Sequence, residues 1–172
     1  MEGLSQTRVL TRMALLVAVA TILHAVERGF LGSFLWIRLG LANAITLLSL
    51  VLLGLKEALT VTFLRCLLGS LLNGSLFTPS FVLGLGGTTV ATLVMGLFFF
   101  KHSLGFSLIG ISIVGAVANN LVQLLIATFL IIKHIGTLIY LPFLMIMALL
   151  GGSLNGLLVA FLIRYLPLEV TQ

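Results

Sequence analysis

Aspartate is absent from this 172-residue chain, and only four acidic residues, all glutamates, are present. That absence excludes the clustered-carboxylate chemistry by which hard cations such as Mg²⁺ are held against a diphosphate. One cysteine, Cys66, excludes an intrachain disulfide and every Cys-rich metal or iron–sulfur motif. Charge itself is scarce. Charged residues make up 8% of the chain against 60% hydrophobic ones, and the mean hydropathy is +1.32. A soluble domain of this size needs far more charge to cover its surface, so lipid is the expected solvent. The net charge of +5 does not indicate a nucleic-acid binder, because the nine Lys and Arg are scattered at the ends of apolar runs, as headgroup-level anchors are.

What is present is a series of long apolar runs. A span needs about 20 apolar residues to cross about 30 Å of hydrocarbon. Six candidates follow: residues 9–29, 39–55, 58–77, 81–100, 104–132 and 138–165. The second is short and the fifth long, which points to tilt or a re-entrant piece. The first, "RVLTRMALLVAVATILHA", has a basic start like a signal peptide, but five further runs follow and it reads as a retained span. The glycine-rich "RGFLGSFLWIR" between the first two spans reads as a re-entrant or surface loop, with Trp36 suited to the interface. With the N-terminus in the cytoplasm, Arg8, Arg12, Lys56, Lys101 and Arg164 lie inside and Arg28, Arg38 and Lys133 outside. The bias places both termini inside. The chain reads as one transmembrane domain, residues 1–172, with a weak internal echo between "GSLLNGSL" at Gly69 and "GSLNGLL" at Gly152.

The informative residues are those a membrane penalises. Arg65 lies about two turns into the third span; it either snorkels to the headgroups or faces a cavity as a buried cation. "GAVANNLVQLL" puts Asn119, Asn120 and Gln123 within one turn near mid-membrane. They serve either as interhelical hydrogen-bond glue or as a cluster facing a ligand, and three amides in one turn favour the ligand. "LHAVERGF" aligns His24, Glu27 and Arg28, either as a headgroup-level ion pair or, with Arg38, as a contact at the outer mouth. Asn43 and Thr46 stand one turn apart near the outer end of the second span. The pieces "GLGGTT" and "GGSLNG" lack the strand–loop–helix context and the GKT of a nucleotide loop, and read as close-packing small residues. The three histidines make no ligand-spaced pair. No catalytic, cofactor or metal site is expected.

The stretch "RLGLANAITLLSLVLLGLKEAL" resembles the Gx-transporter family, whose members carry the label heptaprenyl diphosphate synthase component I. That family is in turn similar to the substrate-binding S-components of energy-coupling-factor (ECF) vitamin transporters. "LGLAN" (Leu39–Asn43) and the apolar run to "LLG" carry most of the likeness. The resemblance implies an all-α, six-span protein of the bacterial plasma membrane that binds a small vitamin- or cofactor-like solute in its outer half. Its partners would be an ECF-type coupling subunit and ATPases, since the chain has no ATP-binding motif. In "MALLVAVA", Ala14 and Ala18 match the AxxxA pattern by which S-components meet their coupling subunit. The implied solute site gathers Glu27, Arg28, Arg38, Asn43, Arg65, Asn119, Asn120 and Gln123. The alternative is a membrane subunit of a flavin- or quinone-linked redox system, or an isoprenoid-related accessory protein without its own catalysis. The missing aspartates speak against prenyl transfer by this chain.

Overall fold

The computed structural model describes residues 2–31, 40–100 and 105–165, and the described chain is all helical. The helices are α1 (Glu2–Leu31), α2 (Leu41–Leu53), α3 (Leu55–Leu72), α4 (Pro79–Phe100), α5 (Leu108–Ile126) and α6 (Leu141–Tyr165). A π-helical turn, Ala127–Ile132, prolongs α5, and a 3₁₀ turn, Ile135–Tyr140, leads into α6.

Four stretches are long and apolar enough to cross a membrane: Gln6–Glu27, Pro79–Phe100, Leu108–Ile132 and Ile135–Tyr165. Their outward faces carry large apolar side chains such as Leu15, Ile22, Leu97, Phe129, Leu149 and Phe161, all exposed. Water would penalise such a surface and hydrocarbon does not. The chain is a multi-pass membrane protein in contact with lipid. The expected second span is different in kind. With 13 residues, α2 is only about 20 Å long at 1.5 Å per residue, too short to cross the hydrocarbon alone. Ten of those residues are buried, so α2 is a central rod around which the other five helices pack.

Registers between facing residues fix the directions. Thr46 meets Thr62 and Asn43 meets Arg65, each pair symmetric about Gly54, so α2 and α3 form a helical hairpin turned by one residue. Gly54 sits at φ 99°, ψ 179°, a conformation essentially confined to glycine. Thr62–Thr92 and Cys66–Thr88 set α4 antiparallel to α3. Asn120 meets Leu144, which sets α6 antiparallel to α5. There Gly152 and Gly156 let α6 approach so closely that an added Cβ would stand 2.7 Å from Ile113 Cα and 2.6 Å from Ile109 Cα. The helices alternate up and down, and α1 begins at the end of the bundle where α6 finishes.

Packing is unequal along the bundle axis. Toward the end where α1 begins, Leu16, Val17, Leu47, Leu50, Val61, Met95, Ile111 and Val159 make a continuous apolar core. Toward the opposite end that core gives way to polar side chains.

Candidate functional site

The transition is a seam of hydroxyls. Thr46, Thr62 and Thr92 are all at most 1% exposed; Thr62 Oγ1 lies 3.4 Å from Thr46 Oγ1 and 3.1 Å from Thr92 Oγ1. Each turn further from the apolar core the polarity rises. One turn on from Thr46 is Asn43; one turn on from Thr62 are Arg65 and Cys66; one turn back from Thr92 is Thr88. These open into a cavity of about 120 Å³ lined by all six helices.

Helices α1–α3 bring the charge. Arg65 is 4% exposed, so it does not snorkel to the headgroups. Its Nη2 donates to Asn43 Oδ1 at 2.8 Å, and among the described residues this is its one hydrogen bond. Its Nε is buried with no partner among the described residues. Glu27 is buried too, and the reason lies in α2. That helix starts with Gly40 in the left-handed region at φ 66°, with no side-chain cap of its own. The Leu41 N–H instead donates to Glu27 Oε1 at 2.7 Å. A carboxylate from α1 thus caps the positive end of α2, and the same carboxylate acts electrostatically on Arg65. His24, one turn earlier on α1, lines the cavity and packs on Gly69 of α3.

Helices α4–α6 bring the amides. Gln123 Nε2 donates to Asn119 Oδ1 at 3.0 Å along α5. Asn120 Nδ2 donates 2.9 Å to the Leu144 carbonyl of α6, so this amide does join two helices. Asn155 Nδ2 donates 3.0 Å to the Gly40 carbonyl, tying α6 to the start of α2.

Six of the eight expected site residues, Glu27, Asn43, Arg65, Asn119, Asn120 and Gln123, therefore line one cavity. Arg38 lies outside the described residues, as does the side chain of Arg28. Helices α3, α4 and α6 line this cavity as well as α1, α2 and α5. Thr46 lies one turn beneath the lining, in the hydroxyl seam. Asn155, Cys66 and Thr88 were not singled out as site residues. Asn155 sits inside "GGSLNG", whose glycines do pack helices closely and so masked the amide. The signal was the buried stripe Ala148, Gly152, Asn155, Val159 at helical spacing. The echo with "GSLLNGSL" does not carry over to three dimensions: Asn73 caps α3 and is exposed, whereas Asn155 is 2% exposed. The AxxxA residues Ala14 and Ala18 both lie on the outward face of α1.

The class defined by this architecture is a polytopic α-helical membrane protein with a small, polar, charge-bearing cavity in one half of its bundle. A sequence profile of the family described as heptaprenyl diphosphate synthase component I matches residues 16–162. The chain belongs to that family. No curated protein and no solved structure matches it. Among the described residues no three His, Cys, Asp or Glu are grouped as a metal site would need.

Proposed function

We propose that this protein is a membrane solute-binding subunit of the S-component kind, with six helices alternating in direction and both termini cytoplasmic. It would take a compact, polar, cofactor-like molecule from the outer side and work with partner energising subunits. The observation that supports this most is the asymmetry of the interior: a polar cavity in one half, above a dry apolar plug in the other. A bundle needing only stability gains little from a buried arginine and five cavity-lining amides, since each isolated polar group in hydrocarbon is costly. The closed apolar half also fits a subunit that binds alone but releases inward only with help. Ala14 and Ala18, outward on α1, would be the partner-contact face, where small residues at i,i+4 admit close helix contact in lipid.

A second reading takes the family's description at its word: an isoprenoid-related accessory chain that accompanies a separate synthase component and itself transfers no prenyl group. The lack of aspartate favours the accessory role over catalysis. Affinity purification from native membranes separates the two. The first reading expects a coupling subunit and ATPases, lost on replacing both Ala14 and Ala18 by Leu. Recovery of a soluble synthase component, insensitive to that replacement, would overturn it in favour of the second. Topology is checked by single cysteines at Ser5, Ser103 and Thr137 in a Cys66→Ala background. An impermeant outside reagent should label Thr137→Cys alone.

A further inference from the structure

We propose that the cavity is an oxyanion site, in which Arg65 anchors one carboxylate- or phosphate-type group of the bound molecule. This rests on the reading of the cavity as a binding site and adds the chemistry of what enters it.

The argument starts from charge and hydrogen-bond capacity. A guanidinium carries five N–H donors, and among the described residues Arg65 uses one of them, on Asn43. Its Nε finds no partner among the described residues although the residue is 96% enclosed. Planar forks of this kind match carboxylate and phosphate oxygens two at a time. Glu27 partly balances the charge, but its Oε1 already accepts the Leu41 N–H at the start of α2. The other positive element is that helix start itself, where Gly40, Ala42 and Asn43 all face the cavity. Two positive features thus oppose one carboxylate that is partly engaged. The Asn43 side-chain N–H₂ makes no hydrogen bond among the described residues, so it is available as a second donor beside Arg65.

Volume limits the occupant. About 120 Å³ is well below the 300–1,000 Å³ typical of pockets that enclose a whole drug-sized ligand. The cavity holds a head and leaves any ring system or chain outside. An oxyanion head of that size belongs equally to a water-soluble acid and to an anionic lipid, so the test must separate them.

Cys66, the chain's single cysteine, lines the cavity beside Arg65 and Thr88 and serves as a native reporter. The purified protein in neutral detergent is treated with three substituted-ethyl methanethiosulfonates: anionic sulfonatoethyl, cationic trimethylammonioethyl and neutral hydroxyethyl. Each rate is divided by that of the same reagent with 2-mercaptoethanol. The anionic reagent should be favoured over the cationic one by about tenfold, the scale of one charge pair in a partly screened site. Arg65→Gln should abolish that preference, read as the ratio of anionic to cationic rate so that any change in the thiolate itself cancels, and Arg65→Lys should keep it. Acetate or methyl phosphate should protect Cys66 if the natural occupant is a soluble acid. Protection by phosphatidylglycerol in mixed micelles, and not by the soluble anions, assigns the site to a headgroup. Equal normalised rates, a preference that survives Arg65→Gln, or protection by none of these anions would overturn the oxyanion proposal and leave a binding cavity. Failure of even the neutral reagent to reach Cys66 would overturn both.

Discussion

Replacing Asn43 by Leu should destabilise the fold more than any other single change to the cavity lining, and the reason lies in its partner. The Asn43 Oδ1–Arg65 Nη2 contact, at 2.8 Å, is the one hydrogen bond the buried guanidinium makes among the described residues. Interhelical hydrogen bonds in membrane proteins average about 0.6 kcal/mol and reach about 1.7. Bonds to a charged donor are roughly twice as strong as neutral ones, and stranding a buried charge costs up to about 3–5 kcal/mol. Glu27 still offsets part of the charge, so Asn43→Leu should cost about 2–3 kcal/mol. Arg65→Met removes the charge together with its desolvation penalty, and should cost about 1 kcal/mol or less. With Arg65 already gone, Asn43→Leu should add almost nothing, giving a coupling of about 2 kcal/mol in a double-mutant cycle. Equilibrium unfolding in mixed micelles measures all four corners. Additive losses, with coupling near zero, would refute the idea that Asn43 is what makes a buried Arg65 tolerable.

Gly54→Ala places a Cβ at φ 99°, ψ 179° and should cost about 1–3 kcal/mol, read as a lowered unfolding temperature without loss of helix by circular dichroism. Gly156→Ala should cost about 1–3 kcal/mol by overpacking, because its Cβ would meet the backbone of Ile109 at 2.6 Å; an unchanged unfolding temperature would show that α5 and α6 are less tightly apposed. Asn120→Leu and Gln123→Leu should part company. Asn120 bonds across to the Leu144 carbonyl and Gln123 only to Asn119 on its own helix. The first should therefore lose stability and the second chiefly ligand, as thermal unfolding with and without the retained molecule would reveal.

Helical class and lipid exposure were legible because apolar run length is a direct physical requirement of the bilayer. So were most of the polar residues that line the cavity, since an amide or charge inside such a run is costly enough to need a reason. What the pattern could not convey was depth. Leu41–Leu53 reads as a span because it is uniformly apolar, yet a helix buried on all sides by protein has the same composition as one facing lipid. Its shortness was visible; its place at the centre was not. Glu27 shows a second limit. Its role as cap to a helix fourteen residues later depends on tertiary contact, and sequence spacing offers only its neighbour Arg28 as a partner. Asn155 shows a third, since an amide among glycines is overshadowed by the close packing those glycines also provide.

The central claim, that the polar cavity holds a solute, is tested most directly by filling it. Gly84 lines the cavity, and a Cβ built there meets nothing within 4 Å, so the side chain of Gly84→Leu starts in open space at the cavity. Small molecules retained by gently purified protein would be identified by mass spectrometry for the natural chain and this variant, alongside the unfolding temperature of each emptied protein. The account predicts a compound held by the natural chain and lost from Gly84→Leu, with the fold equally stable. Retention of the same compound in equal amount by the filled variant would contradict it.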